Sequence, residues 1–315
     1  MKPIILSTPA YAYLAKSLSQ LTGIELGRVE IKHFPDGERY MRILCHIRDR
    51  DVYFLCSSHS DNEAILSYDF ACGIAKYGAK RMNLIMPYFG YSTMERAVKE
   101  GEIVTAKNRA RLFSSIPSCP YGNRMYSVDL HSEGIPHYFE GNVQFFHIYA
   151  KSLIIQKALQ YGGGEFVLAS TDTGRAKWVE SLANDCTSRG VNATAAFIIK
   201  QRLSGSKTRI LDVHADVQNK TVVIYDDMIR TGGSLIGAAQ AYQNAGAKEI
   251  YCISTHGIFP TDSADRLYQS GLFQRIAVSN SHPSAIKAQE KYPDLIELLP
   301  LEPLLQKVIF RNKSK

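Results

Sequence analysis

With 315 residues the chain has room for two domains of about 150 residues each, and 45% hydrophobic against 21% charged residues, with 12 prolines, exclude a disordered chain. No run reaches the roughly 18 apolar residues needed to cross a bilayer, and the apolar stretch after Met1-Lys2-Pro3 is too short for a signal peptide, so a cytoplasmic location and no membrane partner are expected. A net charge of +7 without Lys/Arg blocks interleaved with aromatics favours a polyphosphate ligand over nucleic acid.

The first segment with chemical content is Phe34-Pro35-Asp36-Gly37-Glu38. Proline at the second and glycine at the fourth position predict a type I turn that exposes an aromatic ring and two carboxylates. Such a ring can stack on a nucleobase while a carboxylate accepts the amino protons of adenine, which favours a purine; a plain surface turn is the alternative. A strand is predicted at Val52 to Cys56, an amphipathic helix at Glu63 to Tyr77 and a strand at Met82 to Met86, both strands apolar nearly throughout as in a parallel sheet covered on both faces. The passage from Ile74 to Met86 is echoed at Gln243 to Ile253. In each, a helix ends at a glycine suited to the left-handed C′ position, a lysine follows, and a strand begins. Many α/β proteins leave a helix this way, so the echo alone is a weak sign of duplicated halves.

Met125 to Val128 reads as a strand, and Asp129-Leu130-His131 puts an acid and an imidazole at its carboxyl end, where open α/β sheets bind ligands. The polar segment Gly141 to Gln144 and the loop Gln160 to Gly164 bracket a division near residue 146, giving domains 1–146 and 147–315, with the last residues packing back on the first. Further strands are predicted at Phe166 to Ala169, Thr221 to Tyr225, Ile250 to Ser254 and Arg275 to Val278, with a helix at Ser234 to Asn244. Alternation of this kind indicates an α/β fold with right-handed crossovers. Ile199 to Arg202 lead into the polar stretch Leu203 to Thr208, which reads as a mobile loop, and Lys200 and Arg202, two apart on an extended segment, share a face. The six cysteines are scattered singly, as buried free thiols of a reducing compartment would be.

The most informative segment is Val222 to Ser234: an apolar strand, the acids Asp226 and Asp227, then Met228-Ile229-Arg230-Thr231-Gly232-Gly233-Ser234 opening a helix. Glycines let backbone N–H groups approach a phosphate, Thr231 and Ser234 add hydroxyl donors, and the helix N-terminus adds partial positive charge. The two carboxylates would repel a phosphate but suit the hydroxyls of a sugar, so a phosphorylated ribose fits both ends. The bland alternative is a strand-turn-helix whose acids cap the helix.

This loop resembles the 5-phosphoribosyl-pyrophosphate loop shared by type I phosphoribosyltransferases and ribose-phosphate pyrophosphokinases, and the other motifs separate the two. Phe34 to Glu38 is similar to the pyrophosphokinases' F-P/S-D-G-E motif, Asp129-Leu130-His131 to their D-L-H motif, Ser170-Thr171-Asp172-Thr173-Gly174 to their P-D-x-G motif, and Lys200 with Arg202 to their K-x-R pair. The resemblance runs through Pro87-Tyr88-Phe89-Gly90-Tyr91 to Thr255-His256-Gly257-Ile258-Phe259.

It implies two tandem type I phosphoribosyltransferase-like domains, each a mainly parallel sheet flanked by helices, in a homo-oligomer with the ATP site at a subunit interface. It further implies transfer of the pyrophosphoryl group of Mg-ATP to the anomeric hydroxyl of ribose 5-phosphate, giving 5-phosphoribosyl 1-pyrophosphate and AMP. Phe34, Asp36 and Glu38 would bind ATP, and His131 and Asp172 would associate with Mg²⁺. His131, Lys200 and Arg202 would be catalytic, while Asp226, Asp227 and Arg230 to Ser234 would take the ribose phosphate.

Two departures stand out. After Tyr91 the chain reads Ser92-Thr93-Met94-Glu95-Arg96, so an Arg and a Gln that contact ATP in common bacterial members are missing; Arg96 is the candidate substitute, and the pattern is closer to the plant-type class II enzymes. Arg230 stands where class I has an acid, and the added cation would suit a bulkier anion such as ADP-ribose. A phosphoribosyltransferase and a catalytically silent regulatory homologue remain the rival readings.

Overall fold

The computed structural model describes the backbone of residues 1–204 and 207–311 and the side chains of residues 1–199 and 213–310. The chain divides into two compact units, Met1–Tyr149 with Leu301–Lys315, and Ala150–Pro300.

The first unit contains β1 (Ile4–Ser7), α1 (Ala12–Thr22), β2 (Glu25–Leu26), β3 (Val29–His33), β4 (Arg39–Ile43), β5 (Asp51–Leu55), α2 (Asp61–Lys76), β6 (Arg81–Met86), α3 (Thr105–Ser114), β7 (Asn123–Val128) and β8 (Val143–Ile148). Six strands form a parallel sheet in the order β2-β1-β5-β6-β7-β8, and β3 and β4 form a separate antiparallel hairpin. The apolar runs of the sequence become the central strands. Val52, Phe54, Met82, Leu84 and Met86 are fully buried in one core with Phe70 and Ile74 of α2. That helix starts where the sequence supplies a cap: the Ser60 hydroxyl accepts the Glu63 N–H at 3.3 Å.

The second unit contains α4 (Lys151–Gly162), β9 (Glu165–Ser170), α5 (Ala176–Thr187), β10 (Asn192–Ser204), β11 (Lys207–His214), β12 (Thr221–Ile229), α6 (Gly233–Asn244), β13 (Glu249–Gly257), α7 (Ser263–Ser270), β14 (Arg275–Ser279), α8 (Pro283–Lys291) and β15 (Ile296–Leu299). Its seven strands run in the order β11-β10-β9-β12-β13-β14-β15, parallel throughout except for β10 with β11. Of the stretch Leu203 to Thr208, expected as a loop, residues 203–204 and 207–208 belong to the two arms of that antiparallel pair, and residues 205 and 206 lie outside the described residues. The pair's inner end is anchored by the fully buried Ala196 and Ile198, so the ladder carries the polar residues along with it. After Pro300, α9 (Glu302–Arg311) belongs to the first unit, where the Tyr53 hydroxyl donates to the Ile309 carbonyl at 3.2 Å.

The echo between the two halves extends beyond the helix exits. Gly78 and Gly246 have φ of 83° and 91°. The carbonyl of Gly78 accepts the Asp49 N–H, and that of Gly246 the Asn219 N–H, each at 2.8 Å. Lys80 and Lys248 donate in the same way to the carbonyls of Arg50 and Lys220 at 2.8 and 2.9 Å. The six cysteines are free thiols, with Cys45 and Cys72 half-buried and the rest buried. Among the described residues no helix is long and apolar enough to cross a membrane.

Candidate active site

In the second unit β12 continues past Tyr225 to Ile229, so the acid pair lies within the strand and not beyond it. The cause is the neighbouring β13, whose Ser254, His256 and Gly257 pair with Asp226, Met228 and Ile229. Neither acid caps the helix that follows. The N-cap of α6 is Gly232, with φ 76° and no side-chain cap bond, and Ile236 N–H is bonded to its carbonyl at 2.9 Å. The first backbone N–H groups of α6 therefore have no helical acceptor and face the turn that carries the exposed Thr231, Gly233 and Ser234. Arg230 is also exposed. The turn is held from outside by α7, whose Arg266 donates from Nη2 to the Thr231 carbonyl at 2.6 Å.

Beside this turn, the carboxyl end of β9 contributes Ser170 to Arg175. Asp172 Oδ1 accepts the Gly174 N–H at 2.8 Å, and the Ser170 hydroxyl donates to the Asp172 carbonyl at 2.6 Å, which fixes the bend. Tyr242 of α6 donates from its hydroxyl to the Ser170 carbonyl at 2.9 Å, tying that helix to the same strand end.

Two side chains that sequence reasoning passes over complete the site. The Thr171 hydroxyl donates to Asp226 Oδ2 at 3.2 Å, and Arg175 Nη2 lies 2.7 Å from Asp227 Oδ2. Their only sequence signal is that they flank Asp172-Thr173-Gly174. Burial, and then the charge of Asp227 alongside, push the Asp226 carboxyl up to about 7. The result is a half-buried and a buried acceptor, Asp226 and Asp227, next to a turn of open N–H donors, which is the pairing a sugar diol and its 5-phosphate require.

The remaining candidates are carried by other elements. Phe34, Asp36 and Glu38 are exposed at the tip of the β3–β4 hairpin, where Gly37 N–H donates to the Phe34 carbonyl at 3.0 Å and closes the expected turn. Asp36 Oδ1 accepts the Glu38 N–H at 3.0 Å. Arg96 is exposed and lies 3.5 Å from Glu95. His131 is half-buried just beyond β7, next to Leu130, whose N–H donates to His147 Nε2 at 2.9 Å. Lys200 and Arg202 have their backbones on β10, and their side chains lie outside the described residues. Among the described residues no three His, Cys, Asp or Glu side chains come together as a metal cage. A carboxylate such as Asp172 still suits Mg²⁺, which keeps several waters and binds through one or two carboxylates together with substrate phosphates.

Two family models match the chain: the N-terminal domain of ribose phosphate pyrophosphokinase over residues 3–116, and the phosphoribosyl synthetase-associated domain over residues 172–304. A ribose-phosphate pyrophosphokinase of Synechococcus elongatus is 32% identical over 303 residues, covering 95% of this chain and 87% of its own. The chloroplastic ribose-phosphate pyrophosphokinase 1 of Oryza sativa is 30% identical over 314 residues, covering 98% and 75%. Among solved structures, phosphoribosylpyrophosphate synthetase from Mycobacterium smegmatis superposes with a TM-score of 0.85 at 26% identity, over 99% of this chain and 100% of that one.

Proposed function

The chain belongs to the ribose-phosphate pyrophosphokinase family, and from that premise we propose that it transfers the pyrophosphoryl group of ATP to the anomeric hydroxyl of ribose 5-phosphate, yielding 5-phosphoribosyl 1-pyrophosphate and AMP. The observation that carries the reading is the acid pair, half-buried Asp226 and buried Asp227, beside the open N-terminus of α6.

In this reading Asp226 and Asp227 accept hydrogen bonds from the ribose 2- and 3-hydroxyls. The N–H groups and hydroxyls of Thr231 to Ser234 take the 5-phosphate, and Arg230 adds positive charge. The sugar's O1 attacks the β-phosphorus in line, its proton is lost, and AMP leaves. Negative charge then builds on the transferred group, and Lys200 and Arg202 stabilise it; a preorganised cation contributes about 3 to 4 kcal/mol to such a transition state. Asp172 and His131 would hold Mg²⁺, which would supply further charge neutralisation on the nucleotide phosphates. Phe34, Asp36, Glu38 and Arg96 take the adenine nucleotide, and a hairpin tip that serves a neighbouring copy's nucleotide makes the working protein at least a dimer. The free thiols fit a reducing compartment such as the cytoplasm.

A second acceptor is favoured by Arg230, an exposed cation at the phosphate turn that suits a bulkier anion. ADP-ribose offers the same free anomeric hydroxyl with a second phosphate. Incubation with Mg-ATP and either acceptor, followed by chromatography of the nucleotides, tests both. AMP together with a new sugar pyrophosphate is the expected outcome, and the responding acceptor names the substrate. Absence of AMP with both would overturn the reading in favour of a silent regulatory homologue.

A further inference from the structure

In the first unit β7 and β8 lie side by side, with Ser127 opposite His147 and Val128 opposite Ile148. Beyond that last pair the Asp129 N–H still donates to the Ile148 carbonyl at 3.0 Å. The backbone then turns at Asp129 with φ 35°, a left-handed conformation that a residue with a side chain keeps only where its surroundings hold it. The next N–H, that of Leu130, donates to a side chain and not to the strand: His147 Nε2 accepts it at 2.9 Å.

That bond fixes the state of the ring. Nε2 accepts from a backbone amide, so it carries no proton, and the neutral imidazole holds its hydrogen on Nδ1. Nδ1 lies 3.2 Å from Glu133 Oε2, which accepts that hydrogen. The Tyr149 hydroxyl donates to the same oxygen at 2.9 Å, and its ring leans on the imidazole with centroids 4.1 Å apart. The His147 side chain is 9% exposed, whereas that of Glu133 is 68% exposed. One buried ring therefore grips the chain at residue 130 and again at residue 133, and His131 lies between the two grips.

We propose that His147 is a positioning residue for the transfer reaction: backed by Glu133, it sets where the His131 imidazole stands by holding the chain on both sides of it. The inference rests on the assignment of His131 to catalysis given above, and it adds His147 and Glu133 as the pair through which that residue is placed. Neither has to touch a reactant. A side chain that acts by placing another slows the chemical step and leaves the binding of reactants in place, since a misplacement of about 1 Å can cost about a hundredfold in rate.

The test is a cycle of variants of the full-length protein, read by steady-state release of AMP from Mg-ATP and ribose 5-phosphate. His147→Phe keeps a ring against Tyr149 but offers no acceptor. Its kcat is expected to fall by about tenfold to a hundredfold, with both KM values within about threefold of wild type. His147→Gln, which restores an acceptor, is expected to recover most of the loss. Glu133→Ala should cost about threefold, as the loss of an exposed partner does. In a His131→Ala background, His147→Phe and Glu133→Ala should have no further effect on kcat, because the residue they place is gone. Hydrogen exchange across residues 129–135, followed by mass spectrometry, should be faster in His147→Phe and close to wild type in His147→Gln. A folded His147→Phe with wild-type kcat, a His147→Gln as slow as His147→Phe, or an equal loss with and without His131 overturns the proposal; the last is what a merely structural histidine would give. If His131→Ala turns over as wild type, the catalytic assignment of His131 falls and this inference with it. Wild-type protein that releases no AMP overturns the pyrophosphokinase reading itself and both assignments with it. Should a thermal melt show that His147→Phe fails to fold, Glu133→Ala carries the cycle, and an equal loss in both backgrounds overturns the proposal.

Discussion

Asp226 and Asp227 are adjacent in the chain yet have different partners: the Thr171 hydroxyl reaches the first at 3.2 Å and the Arg175 guanidinium the second at 2.7 Å. The difference separates their chemistry. Asp227 has an ionic partner, whereas burial and its neighbour's charge hold the Asp226 carboxyl at about 7. A protonated Asp226 offers a diol one acceptor fewer. The KM for ribose 5-phosphate should therefore fall as pH rises from about 6 to about 8, and the Asp226→Asn variant should lose that slope. A flat wild-type profile would contradict the assignment.

The same carboxyl also tilts folding stability. Its folded pKa, about 7, lies above its unfolded value of about 4. The folded state then binds the extra proton between those values, so stability declines as pH rises through the window and the loss is complete above it. Asp226→Asn removes the loss. Its melting temperature should exceed that of wild type at about pH 8, and the gap should close toward about pH 4. An equal offset at both pH values would count against a buried, raised carboxyl.

Gly90 is fixed by close approach. A Cβ built there would lie 1.9 Å from the Ser58 carbonyl oxygen, and the Gly90 N–H donates to the Ser58 hydroxyl at 2.8 Å. Gly90→Ala should cost more than about 2 kcal/mol in urea unfolding. A loss below about 0.5 kcal/mol would mean that the loop moves freely to accept a methyl group.

Gly237 is the opposite case. It lies inside α6, and a Cβ there would meet nothing within 4 Å. Gly237→Ala should raise stability by about 0.5 to 1 kcal/mol through helix propensity and a less flexible unfolded chain. Destabilisation would reveal a functional need for the glycine in this helix.

Lys200→Ala should lower kcat by about a hundredfold to a thousandfold. The acceptor KM should change far less, since the lysine is assigned to charge that develops during transfer. Intact turnover with a raised KM would move Lys200 from the transition state to ground-state binding.

The central strands and α2 were legible because their apolar runs and the Ser60–Glu63 cap are local signals, with observed ends a few residues from those predicted. The turn at Phe34 to Gly37 was legible for the same reason, since proline and glycine dictate its backbone. The β10–β11 pair was not, because polar residues read as loop when the partner strand that orders them is unknown. The turn at Arg230 to Gly232 and the helix it opens could be read from residue order alone. Arg175 could not, because its meaning lies in an ion pair to a distant strand end. The echo of the two halves needed Asp49 and Asn219, whose equivalence is a matter of backbone geometry, with φ of 60° and 57°, and not of residue type.

The chain leaves its first unit after Tyr149 and rejoins it at Leu301, which makes residues 150–300 a continuous cassette and the first unit a split one. Cutting the gene at that first crossing would therefore be asymmetric in its effect. The downstream cassette could be produced as one uninterrupted polypeptide, but residues 1–149 alone would lack α9 and expose the surface that the fully buried Leu301, Leu305 and Ile309 now cover.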